Sequence, residues 1–187
     1  LRATIDERAL RYSKVDASTI TAYRRIANAA DEPRILLLVD AIPSFRSAYE
    51  AGDRVKWFDT FLSIAADGRP VGVHVVITSD QRAGVPPALA SAIQRRIVLR
   101  MAAVDDYGML DVPSDILGSD APQGRGIYDG REVQVAVLGE SSDAQGQALN
   151  LRRFASSMVR AGVRPAPAVL ALAEKVDLAD LPVVPGR

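Results

Sequence analysis

The chain contains no cysteine, which excludes disulfides and every metal site built on thiolates. It has one histidine, His74, and a lone imidazole does not make a zinc site. Lysine occurs only at positions 14, 56 and 175, so arginine carries nearly all the positive charge. Its planar fork suits bidentate contacts to phosphates and carboxylates. No net charge remains: 23 Lys and Arg balance 23 Asp and Glu, so there is no global field to draw in nucleic acid or an anionic membrane, although a local basic patch stays open. No apolar run approaches the roughly 20 residues that cross a bilayer, and the first residues lack the basic-then-apolar order of a secretion signal. The expectation is a soluble globular chain, alone or as the soluble portion of a membrane-tethered protein.

What is present is enough for a real core: 187 residues, of which 48% are apolar and 25% charged, the proportions of an ordinary folded domain. The organising stretch is Arg34-Ile35-Leu36-Leu37-Leu38-Val39-Asp40. Five consecutive apolar residues, with Pro33 before and Pro43 after, predict a fully buried parallel strand. It ends on a carboxylate, and open α/β sheets place ligands at such strand ends. Val73-His74-Val75-Val76-Ile77-Thr78 predicts a second buried strand, rich in β-branched residues. Arg96-Ile97-Val98-Leu99-Arg100-Met101 predicts a third. Helices between the strands imply right-handed crossovers and a mainly parallel sheet, with Asp40 and Thr78 at the same end.

Several helices follow from apolar spacing. Leu1, Ile5, Ala9 and Tyr12 share one helical face, with charged residues on the other. Asp16 or Ser18 caps a second helix through Ile20, Tyr23 and Ile26. Phe58, Phe61, Leu62 and Ala65 stand at i, i+3, i+4 and i+7 of a helix over 55–67, which Asp67-Gly68-Arg69-Pro70 stops. Trp57 reads as a core-rim or interface residue. Residues 41–46 read as a loop kept irregular by Pro43. A short helix runs from Pro87 to Ile93, Pro being welcome in a first turn. Short helical segments are expected over 104–110 and 112–117. The stretch 127–138 predicts a hairpin turning at Asp129-Gly130. A last helix runs from about Asp143 to Ala161, with Leu151, Phe154, Ala155 and Met158 as its buried stripe. The expected division is a core over 1–164 and a Pro-rich linker or C-terminal segment over 165–187.

Four motifs stand in order: ILLLVDA at 35–41, GVHVVITSDQR at 72–82, RRIVLRMAAVDDYGML at 95–110 and PQGRGIYDGREVQVAVL at 122–138. Together they resemble the FtsK/SpoIIIE family of P-loop motor ATPases, and most of all the tandem ATPase modules of actinobacterial type VII secretion proteins, the EccC/EssC group. The resemblance spans residues 18–182. It implies an α/β, RecA-like P-loop NTPase fold: a mainly parallel sheet flanked by helices, with a C-terminal β-hairpin. Asp40 matches the Walker B aspartate that holds Mg²⁺, and Thr78 the polar sensor residue on the adjacent strand. Gln81 and Arg82 lie beside it as weak nucleotide-binding candidates, as does Arg125 in the PGRG-like loop. Arg82, Arg95, Arg96 and Arg125 are all candidates for an arginine that reaches a neighbouring subunit's nucleotide.

Two departures qualify the resemblance. No G-x-x-x-x-G-K-[ST] occurs in the 187 residues, so the P-loop strand of the fold is expected to be missing, leaving unpaired strand edges. Without its backbone donors and lysine there is no phosphate cradle. Ala41 stands where a competent hydrolase of the family carries the carboxylate that orients the attacking water. The resemblance therefore implies a module of a polymer-translocating motor that is degenerate or incomplete for hydrolysis, from a family that uses Mg-ATP, which this chain need not bind. Its implied partners are other ATPase modules in a hexameric motor and a polymer, either a secreted helical protein or double-stranded DNA. Its implied location is the cytoplasmic part of a membrane-anchored protein. Two alternatives stay open: the C-terminal part of a competent ATP-dependent DNA translocase domain whose P-loop lies upstream, and a scaffold-only protein-interaction domain.

Overall fold

The structure, a computed structural model, describes residues 1–113, 115–118 and 120–166. The described residues fall into two compact units, one over Leu1–Val135 and one from Ala136 onward.

The first unit opens with α1 (Arg2–Ser13) and α2 (Ile20–Ile26), then β1 (Ile35–Val39). The cap of α2 is Thr19, whose Oγ1 accepts the Ala22 N–H at 3.1 Å, and not Asp16 or Ser18. Thr19 has the extended backbone that an N-cap needs, whereas Asp16 lies at φ 55°. After β1 comes α3 (Ile42–Tyr49), where the sequence reading expected an irregular loop. Pro43 sits in the first turn of α3, where its missing N–H costs nothing, so it starts the helix instead of preventing it. A 3-10 turn at Gly52–Arg54 leads into α4 (Val55–Asp67), and β2 (Val73–Ile77) follows.

β1 and β2 pair in parallel, Ile35 opposite Val73 and Val39 opposite Ile77. One face of this pair is covered. Ile35, Leu37 and Val75 pack with Ile5, Tyr12, Ile20, Tyr23 and Ile64 from α1, α2 and α4. Near the C-terminal strand ends, Val39 and Ile77 pack with Ile42, Phe61 and Leu89. Burying an aliphatic or aromatic side chain of this size contributes about 1.5–3 kcal/mol each. The expectation of a fully buried strand is corrected on the other face: Leu36 is 65% and Leu38 71% exposed. Five apolar residues in a row carry no sign of which face is covered; only the neighbouring layers decide that.

A 3-10 turn at Arg82–Gly84, α5 (Pro87–Ala92), β3 (Ile97–Leu99) and α6 (Asp105–Met109) come next, then β4 (Arg125–Tyr128) and β5 (Arg131–Gln134). β4 and β5 form the hairpin, with Asp129 and Gly130 both at positive φ as a two-residue primed turn requires. Its second strand ends at Gln134, not 138. The third strand is a further correction. β3 does not join the parallel pair but lies antiparallel to β4, Val98 opposite Ile127. The order β3-β4-β5 builds its own core from Val98, Tyr107, Val112, Leu117 and Ile127. Tyr107 ties it together, its hydroxyl accepting the Met101 N–H at 2.7 Å and donating to the Leu117 carbonyl at 3.3 Å. The helical segment expected over 112–117 is irregular chain at 112 and 113 and turn at 115–117.

The second unit holds α7 (Ala144–Arg160), capped by Asp143, whose carboxylate accepts the Gly146 N–H at 2.8 Å. Leu151, Phe154 and Met158, expected as a buried stripe, are exposed. What holds α7 among the described residues of its unit is polar: Gln147 and Asn150 bond the backbone of Leu138 at 2.7–3.0 Å. From residue 167 onward, the Pro-rich segment lies outside the described residues.

Candidate functional site

The parallel pairing brings the C-terminal ends of β1 and β2 together, and with them Asp40 and Thr78. The Thr78 hydroxyl donates to Asp40 Oδ1 and accepts the Ala41 N–H at 2.9 Å. The backbone closes the same corner: the Ile42 N–H donates to the Thr78 carbonyl at 2.9 Å, and the Thr78 N–H to the Val39 carbonyl at 3.1 Å. Asp40, Ala41 and Thr78 are all exposed, while Ile42 beneath them is fully buried. The corner is thus a solvent-facing carboxylate and hydroxyl on a rigid base.

Ala41 takes a left-handed backbone, φ 52° and ψ 63°. A residue with a Cβ pays roughly 1–2 kcal/mol for that region. The strain turns the chain from the strand into α3 within one residue. The sequence offered no sign of it, because the usual markers of positive φ are Gly and Asn.

The loop after β2 folds back on the start of α3. The Ser79 hydroxyl donates to the Gln81 carbonyl at 2.7 Å. Gly84 passes so near Pro43 that a Cβ there would lie 2.4 Å from the proline Cγ. Gln81 and Arg82 therefore stand on a loop braced against the α3 N-terminus. Arg82 is half-buried and makes no ion pair among the described residues. Arg125 is placed differently. Its guanidinium pairs across the hairpin with Glu132 and bonds Gln134 Oε1 at 3.1 Å. No hydrogen bond or ion pair links it to Asp40 or Thr78. Arg95 and Arg96 precede β3, exposed and without an ion pair among the described residues.

The donor set answers what this corner can hold. Asp40, with its neighbouring hydroxyl, suits a hard cation bound through water. No cluster of three or more His, Cys, Asp or Glu side chains is gathered among the described residues. A triphosphate needs a nest of free backbone N–H groups and a lysine. The two backbone donors nearest Asp40, on Ala41 and Ile42, are both spent on Thr78, and the nearby loop sequence 78–84 has no lysine. The residues present fit a metal-binding carboxylate and do not fit a bound triphosphate.

The sequence reading missed a second polar centre. Arg8 lies on the buried face of α1 between Ile5 and Tyr12, not on the charged face. Its Nε is 3.1 Å from Glu32 Oε1 and its Nη1 donates to the Val71 carbonyl at 3.0 Å. Glu32 also accepts from Arg11 Nη2 at 2.9 Å, and its backbone carbonyl accepts from Arg24 Nε at 2.9 Å. The available signal was position: Arg8 falls three residues after Ile5 and four before Tyr12, within the apolar stripe. This network fixes α1 and α2 to the turn that enters β1, and so to the strand that carries Asp40.

No protein-family model and no curated protein matches the chain. Solved structures do. EccC of Thermomonospora curvata, ATPases 2 and 3 in complex with a signal sequence peptide, matches at a TM-score of 0.69 and 22% identity over 97% of this chain and 33% of that one. EssC of Geobacillus thermodenitrificans, ATPases 2 and 3, matches at 0.69 and 18% identity over 95% of this chain and 34% of that one. The cytoplasmic domain of the Thermomonospora curvata type VII secretion ATPase EccC matches at 0.71 and 22% identity over 96% and 21%. The chain spans about a third of the first two and about a fifth of the last. At these identities the likeness shows the fold alone, which this chain shares with a part of each of these solved structures. No helix among the described residues is long and apolar enough to cross a membrane.

Proposed function

We propose that this chain is a degenerate ATPase module of the FtsK/SpoIIIE type, from a type VII secretion motor, that has kept the scaffold and the metal-binding carboxylate but does not hydrolyse ATP. The observation that carries the reading is the Asp40–Thr78 corner. A carboxylate and a hydroxyl meet at the ends of adjacent parallel strands, the next residue is Ala41, and the adjoining backbone donors are already bonded. Asp40 is the Walker B residue in this reading and Thr78 the sensor. Thr78 fixes the carboxylate's orientation, and Ala41 offers no group to orient a water. Phosphoryl transfer depends on positioning and on charge stabilisation, and both are deficient here.

Such a module serves by docking. Its partners are neighbouring ATPase modules of a hexameric motor, and its polymer is a secreted protein, in keeping with the signal sequence peptide bound to the Thermomonospora protein of similar fold. The zero net charge gives no support to a DNA-tracking surface, which draws affinity from phosphate contacts. Attachment to a membrane belongs to other parts of a longer, membrane-anchored protein.

The test is a thermal-shift titration with millimolar Mg-ATP beside a phosphate-release assay on the 187-residue chain, Asp40→Ala and Ala41→Glu. The expected outcome is no saturable shift and no turnover in any of the three, since a ligand that does not bind cannot stabilise the native state by mass action. Turnover in the unaltered chain that disappears in Asp40→Ala overturns the reading.

A further inference from the structure

We propose that Asp129-Gly130 is a self-modification site, where aspartate rearranges to isoaspartate through a cyclic imide and so unlatches the hairpin. The inference is independent of whether nucleotide binds at Asp40.

Asp-Gly occurs twice in the chain, at 67–68 and at 129–130. The dipeptide carries a reaction of its own. The glycine nitrogen attacks Cγ of the aspartic acid, its proton and a carboxyl hydroxyl leave as water, and a five-membered imide closes. Water then opens the ring at either carbonyl. Opening at Cγ restores aspartate. Opening at the main-chain carbonyl leaves the glycine attached through Cγ and frees the former main-chain carboxyl as the side chain. One water is lost and one regained, and no oxidant or cofactor takes part. Glycine permits the attack because it places no Cβ beside the nucleophile.

The structure separates the two pairs. At 67–68 both reacting groups are engaged. Asp67 is the last residue of α4, and its carboxylate accepts from Arg2 Nη1 at 2.7 Å. Gly68 is buried, and its N–H donates to the Ile64 carbonyl at 3.0 Å. A Cβ on Gly68 would lie 2.7 Å from the carbonyl oxygens of Ile64 and Val73, so the backbone there has no slack for the rotation that ring closure needs. At 129–130 both groups are free. Asp129 and Gly130 are exposed, and neither the carboxylate nor the Gly130 N–H has a hydrogen-bond or ion-pair partner among the described residues. A Cβ on Gly130 would meet nothing within 4 Å. The turn also sits at the end of a hairpin whose second strand, β5, pairs only with β4 among the described residues, so it opens locally at little cost.

The rearrangement has a structural consequence. It adds one methylene to the main chain inside a two-residue loop, and the length of that loop fixes the register. Tyr128 stands opposite Arg131 and Gly126 opposite Val133. By antiparallel alternation the Arg131 and Val133 N–H groups point inward at β4, and the Val135 N–H continues the ladder to the Gly124 carbonyl at 2.9 Å. A longer turn puts these pairs out of step. Arg125 then loses both partners it holds across the hairpin, Glu132 and Gln134.

The test ages the 187-residue chain in mildly acidic buffer, where carboxyl groups are partly protonated, beside a synthetic peptide of residues 127–132. After digestion, chromatography and fragmentation distinguish aspartate from isoaspartate at each site. Isoaspartate is expected at 129 at a rate within about tenfold of the free peptide. At 67 it forms slower than at 129 by about tenfold or more, the weight of one buried hydrogen bond and one ion pair. Asp129→Asn, which keeps a sequence the turn favours, gives the same product faster, with ammonia leaving in place of water. In the isoaspartate fraction the Val133 amide exchanges about tenfold faster or more than in the unmodified fraction of the same incubation, while the amides that tie β2 to β1 keep their rates. Conversion at 67 as fast as at 129, or none at 129 by the time the free peptide is half converted, overturns the site. Unchanged Val133 exchange in the isoaspartate fraction overturns the unlatching.

Discussion

The buried ion pair between Arg8 and Glu32 gives a sharp quantitative test. The perturbation is Glu32→Leu, which removes the acceptor and leaves the Arg8 guanidinium in place. The Arg8 side chain is 5% exposed and that of Glu32 9%. After the change, Arg8 keeps only its 3.0 Å bond to the Val71 carbonyl. Two unit charges about 4 Å apart at an effective dielectric of about 20 attract by roughly 4 kcal/mol, and breaking a buried pair from one side costs about 3–5 kcal/mol. The Arg11 contact adds little, about 0.5 kcal/mol, because that side chain is 40% exposed and screened by solvent. The expected loss is therefore about 3–4 kcal/mol, or a melting point lower by about 6–16 °C for a domain of this size. Arg8→Met should cost a similar amount. The double variant should cost far less than the two single costs added together, since replacing a buried pair with apolar side chains is often neutral. Urea unfolding of the four proteins at neutral pH gives the cycle directly. A Glu32→Leu cost below about 1 kcal/mol, or additive single costs, would refute the reasoning, because the pair would then be solvated despite its burial.

Tyr12 is 1% exposed, stacks on Tyr23 at 4.1 Å, and its buried hydroxyl has no hydrogen-bond partner among the described residues. Burial also pushes its phenol pKa up. Tyr12→Phe should therefore be neutral or stabilising by about 1–2 kcal/mol in urea unfolding; a clear loss would mean the hydroxyl is satisfied. Ala41→Gly should stabilise by about 0.5–1 kcal/mol, the left-handed cost removed less the entropy glycine adds to the unfolded chain, and a loss of stability would show that contacts of the Cβ outweigh the strain. The Ser141 hydroxyl and then the Gly146 N–H hold the Asp143 carboxyl below the usual carboxylate range. A depressed pKa contributes stability above the unfolded value of 3.8 that is lost as pH falls through the folded one. Amide exchange in the first turn of α7 should thus stay slow through mild acid and quicken only below that range, after correction for intrinsic rates. Quickening already near neutral pH would contradict the cap.

The sequence by itself determined the kinds of element and several of their ends. The apolar spacing of Phe58, Phe61, Leu62 and Ala65 gave α4, the Asp129-Gly130 pair gave the hairpin turn, and two β-branched or Leu-rich runs separated by a helix gave the parallel pair that joins Asp40 to Thr78. These features are local, or follow from one right-handed crossover, so periodicity and turn chemistry suffice. Only the tertiary structure decided who pairs with whom and which faces are covered. β3 has three residues and no local mark of its partner, and it went to β4 instead of β2. Leu36 and Leu38 are as apolar as Leu37, yet they stand exposed because no layer of the described residues lies over them. Arg8 is as charged as Arg2, yet it is buried because Glu32, 24 positions away in the sequence, meets it. The left-handed Ala41 arises from the need to turn α3 back over Phe61 and Leu89. Burial and pairing are properties of distant residues brought together, and a single chain read in order does not contain them.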